Sequence, residues 1–340
     1  MTTSGLSHTD FHSRESLTGA FLEFSQRVDR HYIDTHGAES PQVRDAWHGV
    51  FGEPSVNLAV FEVWLGEFPQ IELRRNQRLA GVTLGNNSAR RSTRAGDDSP
   101  RNVTQPVPQR SIERIMLEDT AGTQREVAAH VWIDASYEGD LLALAGVPWR
   151  AGREGRDEYG ESLAPEQADD QLQAYNFRWV MTTDPANGVE PVAPPGYRRE
   201  DFLPVAELLQ QGKFERIFGY PRGCVFKAHT PVLPNDKYDI NDVSGGLIRL
   251  SLPGKNVGWP DGDAATRARI FAEHRRDQEG LLYFIQHDDA VPARFRDEAR
   301  QWGWCRDEFI ESNHLPPQLY VREARRMIGR HLFTQRDSEH

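Results

Sequence analysis

Apolar side chains recur along the chain at spacings that choose between helix and strand. In residues 16–32, Leu17, Phe21, Phe24 and Val28 fall at intervals of four, three and four, the stripe of an amphipathic helix. Residues 56–68 repeat the pattern through Leu58, Val60, Phe61, Trp64 and Leu65, with Pro54 near the start and Pro69 after the end. The period then changes to that of strands over residues 71–84, 111–117 and 127–133. The last two are joined by a turn at Asp119, Thr120, Ala121 and Gly122, so the three predict an antiparallel meander. Residues 85–109, between the first and second strands, have almost no large apolar side chain to offset ordering entropy and read as a surface excursion.

Downstream, Gly and Pro punctuate residues 151–235, leaving one strand at 175–181 and one helix at 202–211. Such a segment is expected to build a cap or pocket wall rather than a main sheet. Helices are predicted at 264–288, 293–302 and 319–333, the first with an inner face of Ile270, Phe271, His274, Leu281, Leu282 and Ile285.

Three groups of residues carry candidate chemistry. In IDASYEGDLLALAGVPW, a strand ending at Ile133 runs into Ala135 and Ser136, then Gly139, then a short helix from Asp140 through Ala145 stopped by Gly146. Small residues there form either a tight packing turn or a place where a ligand approaches the backbone closely. Asp140 reads as the helix N-cap, and Glu138 and Asp140, with Asp134 upstream, are the alternative as an acidic group for proton transfer. On the predicted last helix, Arg322, Arg325 and Arg326 sit at i, i+3 and i+4, either as a solvated face paired to Glu323 or converging on a carboxylate or phosphate. At the start of the chain, His8, Asp10 and His12 alternate, the spacing of metal ligands on a strand, although the Gly, Ser and Thr around them favour a loop.

Composition narrows the classes. A length of 340 residues suggests about two domains, and 38% hydrophobic with 27% charged residues is enough to bury a core. No run approaches the roughly 18 apolar residues of a membrane span, and the first fifteen residues lack a secretory signal. The chain reads as cytoplasmic, without a membrane partner. A net charge of −11 disfavours nucleic acid. Cys224 and Cys305, 81 positions apart, argue against a disulfide scaffold, a thiolate zinc site or an iron–sulfur cluster. Neither GxSxG, a P-loop, HExxH nor GxGxxG occurs.

Residues 133–165, beginning IDASYEGDLLALAGVPW, resemble the FAD-dependent oxidoreductase family related to the glutathione-reductase-type and succinate-dehydrogenase-type flavoproteins. The stretches QAYNFRWVMTTDP, KYDIND, GLLYFIQHDDAVP and WGWCRDEFIESNHLPPQLYVREARRMIGRH resemble later parts of that family in the same order. The resemblance implies an α/β flavoprotein of the two-dinucleotide-binding type, α+β in the portion present, with an antiparallel β-meander and a loop-rich, helical cap. The implied division is a partial FAD-binding domain at 1–150, a substrate or cap region at 151–315 and a helix at 316–340 returning to the FAD domain. It implies FAD as cofactor, hydride transfer to or from the flavin, and a small, anionic substrate. Ala135, Ser136, Gly139 and Asp140 are implied to lie beside the cofactor, with Ser136 replacing the family's commoner Thr. Thr3, Ser4 and Gly5 are implied to contact the flavin ring region, with His8 near the reacting face. Arg322, Arg325 or Arg326 is implied to hold an anionic substrate or stabilise reduced flavin. Against the family pattern, the N-terminal GxGxxG unit and a C-terminal flavin-binding segment are missing, so the resemblance implies a fragment, inactive or dependent on a longer chain. The rival readings are a non-catalytic binding or scaffold fragment, and a metal-dependent hydrolase using His8, Asp10 and His12.

Overall fold

In the computed structural model, residues 14–86, 110–229 and 232–339 are described. Along them run α1 (Gly19–His36), α2 (Pro41–Ala46), α3 (Pro54–Gly66), β1 (Gln77–Asn86), β2 (Arg110–Asp119), β3 (Gln124–Ala128), α4 (Asp140–Leu144), β4 (Trp149–Arg150) and α5 (Arg156–Tyr159). Then come β5 (Trp179–Thr182), β6 (Gly188–Val189), α6 (Leu203–Gln210), β7 (Arg216–Gly219), β8 (Cys224–Ala228) and β9 (Lys237–Asp242). The chain ends with α7 (Ala264–His287), α8 (Ala293–Ala299), β10 (Gly303–Cys305), β11 (Arg326–Met327) and α9 (Gln335–Ser338). These elements form two compact units: one takes in the described residues up to Ile71 and Gln173–Arg322, the other Glu72–Leu172 and the residues from Glu323 onward.

In the first unit, Phe24, Val28 and Tyr32 lie four residues apart on α1 and are buried with Ala46 of α2 and Val60 of α3. Burying each large apolar side chain contributes about 1.5–3 kcal/mol. Helix α2 is started by Ser40, whose hydroxyl accepts from Val43 N, and by Pro41 at the first turn. The loop after it passes through three positive φ angles at Trp47, His48 and Gly49. Gly49 packs so closely on α1 that a Cβ there would land on the Ser25 carbonyl oxygen.

The same unit holds a six-stranded mixed sheet in the order β6-β10-β5-β9-β8-β7, antiparallel except for the β7–β8 pair. Four of its strands, β5 to β8, come from the Gly- and Pro-rich residues 151–235, where the strand expected at 175–181 is β5 and the other three lie in stretches expected as loop. The breakers mark short strands and the turns between them, which a single-segment reading merges into loop. One face of the sheet is aromatic: Trp179 lies 5.2 Å from Phe226 and 5.3 Å from Trp304. Helix α7, capped by Asp263 accepting from Thr266 N, buries the expected Ile270, His274, Leu281, Leu282 and Ile285, with Phe271 half-buried. Its buried Gln278 accepts from Trp179 Nε1 at 2.7 Å and donates to Leu250 O at 2.7 Å, so both amide atoms are satisfied. At the β7 margin, Glu298 of α8 accepts from the backbone N–H of Ile217 at 2.9 Å and of Phe218 at 3.1 Å.

The second unit contains the expected meander, with Leu79 opposite Leu117 and Ile115 opposite Val127. Its turn is fixed by Asp119, whose Oδ1 accepts from Ala121 N and Thr123 N. The first strand starts at Gln77 rather than at 71, and the third ends at Ala128 rather than at 133. Residues 87–109 of the expected surface excursion lie outside the described residues.

The helix expected at 319–333, within the returning segment 316–340, is not formed. Tyr320 instead bridges Asn176, and Arg326 and Met327 form β11 against β4. Residues 319–322 alternate, with Leu319 and Val321 buried beneath Tyr320 and Arg322. This period of two outweighs the helix propensity of Glu, Ala and Arg.

Candidate functional site

In the second unit, the residues after β3 build a turn from one carboxylate outward. Asp134 Oδ1 accepts from Ser136 N at 3.1 Å and from Ser136 Oγ at 2.7 Å, and its Oδ2 accepts from Leu142 N at 3.0 Å. Ser136 Oγ in turn accepts from Gly139 N at 3.0 Å. Gly139, at φ 68°, is the N-cap residue of α4, a left-handed conformation that suits glycine. A Cβ at Gly139 would stand 2.8 Å from Leu142 Cδ2. Ala135 and Ser136 face solvent, and residues 131–136 carry no strand pairing among the described residues. Val131 and Ile133 are 75% and 82% exposed.

Asp140 is the first residue of α4 and not its cap. Its Oδ1 takes the Arg325 guanidinium at 2.6 Å, while Arg325 Nη1 also donates to Glu138 O at 3.3 Å. The Arg325 side chain is 7% exposed and lies 5.0 Å from the Trp149 ring centroid. Ala135, Ser136, Gly139, Asp140 and Arg325 therefore belong to one local arrangement. An Asp140 held in an ion pair is an anchor rather than the proton-transfer acid considered from sequence.

The three arginines do not share a helix face, because the helix is absent. Arg326 Nη2 donates to Gly152 O at 2.6 Å and to Glu154 Oε1 at 2.6 Å, and its Nη1 pairs with Glu323. Arg322, in the first unit, is exposed, sits 5.0 Å over the Tyr320 ring centroid, and makes no ion pair among the described residues. Thr3, Ser4, Gly5, His8, Asp10 and His12 lie outside the described residues. Among those described, no group of three or more His, Cys, Asp or Glu side chains is arranged to hold a metal ion. No described helix is long and apolar enough to cross a membrane.

The sheet of the first unit has a second, polar face that the sequence reading missed. Lys237, wholly buried, meets Glu53 at 2.6 Å, Glu308 at 2.7 Å and Asp307 at 2.8 Å. Glu53 Oε2 accepts from Tyr32 OH at 2.9 Å and Asn235 Nδ2 at 3.0 Å, and Glu308 accepts from Ser55 N and Oγ. Burial pushes the Glu308 carboxyl up, with Lys237 and Ser55 opposing it. Two residues along β9, Asp239 takes Arg178 at 2.7 Å, and Asn241 Oδ1 accepts from Asn176 Nδ2 at 3.4 Å. The signal was the alternation in KYDIND, where every second residue is polar. Charged residues on a strand ordinarily mark the solvated face, whereas here they are buried and paired.

A groove of 860 Å³ along α1 and α3 is lined by Glu23, Arg27, Arg30, His31 and Asp34 among others and includes none of the candidate residues.

The family model described as FAD dependent oxidoreductase matches residues 1–340. The chain belongs to that family, and FAD is its cofactor. No curated protein and no solved structure matches it. In the 134–140 turn, Ala135 and Ser136 are exposed, whereas Gly139 is buried with its N–H given to Ser136 Oγ and its carbonyl accepting from Ala143 N, so the face open to such a group is that of Ala135 and Ser136.

Proposed function

We propose that the protein is an oxidoreductase that moves a hydride between a small anionic substrate and FAD, on a frame of the two-dinucleotide-binding type. The bound flavin supplies the two-electron chemistry, and the chain supplies orientation and electrostatics. In this reading the exposed Ala135 and Ser136 lie against the cofactor, Gly139 allows the turn that aims them, and Arg325 holds Asp140 and so keeps the turn in place.

The observation that carries this reading is the Asp134–Ser136–Gly139 hydrogen-bond relay, which holds two exposed small residues outward in a chain whose family is FAD dependent. The test is flavin absorbance after incubation with FAD and gel filtration. Wild type is expected to retain flavin, and Ala135→Trp to lose it with an unchanged melting temperature. Equal flavin retention by Ala135→Trp would remove the turn from the cofactor site.

A further inference from the structure

A cavity of 620 Å³ lies within the first unit, lined by residues of the 189–195 stretch, by α7, by Trp304 of β10 and by Asn313 and His314. That volume is in the range of small-molecule sites. Its apolar wall belongs to the sequence PVAPP at 191–195, in which Val192 is 76% exposed and Ala193 and Pro195 are exposed beside it. Three prolines in five residues fix the backbone there before any ligand arrives, which lowers the ordering cost of binding.

The charged groups of the cavity are committed, with one exception. Arg275 Nε donates to Glu279 Oε1 at 3.0 Å and its Nη2 to Ser312 O at 2.9 Å, and Glu190 meets His287 Nε2 at 2.9 Å. Arg276 is exposed and makes no hydrogen bond or ion pair among the described residues. Its stem runs along the end of the apolar wall, where a Cβ on Gly196 would stand 3.5 Å from Arg276 Cδ. The guanidinium is thus the one uncommitted charge of a cavity that is otherwise apolar or paired.

Trp304 adds a second donor. It is 5% exposed, yet its indole N–H has no hydrogen-bond partner among the described residues and is not sealed from solvent. Trp179, which packs against it at 5.3 Å, gives its own N–H to Gln278. A tryptophan buried this deeply ordinarily spends that donor. A carboxylate can accept from a guanidinium fork and still receive an indole N–H. With Glu190 and Glu279 in the same lining, a monoanion matches the free guanidinium and a dianion is repelled.

We propose that this cavity is a binding site for apolar monocarboxylates, aliphatic or aryl: the carboxylate accepts from Arg276 and from the Trp304 N–H, and the hydrocarbon body covers the wall at Val192, Ala193 and Pro195. The site belongs to the first unit and does not depend on the flavin reading of the 134–140 turn.

The experiment uses the full chain incubated with FAD, with binding measured by calorimetry and flavin retention read on the same samples. The probes are octanoate and phenylacetate, their neutral amides, acetate, and octyl phosphate. Octanoate or phenylacetate is expected to bind, its amide roughly tenfold more weakly or worse, octyl phosphate more weakly than octanoate, and acetate not at all. Arg276→Gln, at an exposed and unpaired position, is expected to keep its melting temperature and lose roughly tenfold or more in affinity. Ala193→Trp fills the cavity from an exposed position and is expected to abolish binding. Trp304→Phe, which keeps the ring and removes the N–H, is expected to weaken it. Absence of carboxylate binding, equal binding of acid and amide, tighter binding of octyl phosphate, or undiminished binding by Arg276→Gln or Ala193→Trp would overturn the proposal. Flavin retention decides the reading of the turn separately, since none of these variants touches it.

Discussion

Lys237 and Glu308 meet at 2.7 Å with the lysine side chain wholly buried and the glutamate 1% exposed. The same ammonium serves Glu53, itself 4% exposed, so one cation neutralises two carboxylates withdrawn from water. Lys237→Met leaves both without a counter-charge and is expected to destabilise the protein by about 3–5 kcal/mol in urea unfolding. Adding Glu308→Gln to that variant is expected to recover part of the loss. A cost below about 1 kcal/mol would mean that the carboxylates had taken up protons instead.

Asp277 gives a pH-dependent prediction. Burial pushes its carboxyl up to about 6, Arg276 opposes the shift, and Asp201 and Glu273 add to it. With the folded value above the unfolded one, the folded state binds the proton more tightly. Stability from this group is full below about pH 4, falls as pH rises toward 6, and stays low beyond. Asp277→Asn is therefore expected to be neutral at pH 4 and stabilising by about 1–3 kcal/mol above pH 6. Melting curves of both proteins across that range check it, and parallel curves would refute it.

Arg325→Ala removes the partner of Asp140 and the stack on Trp149. A cost of about 1–3 kcal/mol is expected, together with weaker flavin retention at limiting FAD. Arg325→Lys keeps the charge without the planar fork and is expected to fall between the two. Thermal melts and flavin absorbance report the two effects separately.

Gly49→Ala is expected to cost about 2–4 kcal/mol, because the new methyl meets α1 backbone, which cannot rotate away, at a positive φ. Gly122→Ala carries the conformational cost with nothing within 4 Å of the added carbon, and is expected to cost about 1 kcal/mol. Comparing their urea midpoints isolates the steric part.

Much of the fold was legible where one face of an element is apolar. Phe24 and Val28 on α1, and Leu281 and Ile285 on α7, announce helices because burial and period agree. Asp119 and Gly122 announce a hairpin by turn chemistry. Arg322, Arg325 and Arg326 misled because helix spacing and helix propensity coincide in a segment whose backbone is claimed by Asn176 and by Arg150, and pairings with residues so distant leave no local trace. Lys237 was invisible for a related reason: a charged residue in an alternating strand looks solvated until Glu53 and Glu308, far away in sequence, arrive above it. The 134–140 turn was recognisable by its small residues, but that Asp134 and not Asp140 organises it required the hydrogen bonds themselves.

Glu298 gives the sheet a sealed margin. Its carboxylate occupies amide donors of β7 that would otherwise lie open at the rim, and an occupied rim is a poor template for the strand of a neighbouring molecule. A single side chain thus closes the border of the sheet, and Glu298→Ala, which reopens those two donors, is expected to make β7 a site of strand pairing between molecules in concentrated solution.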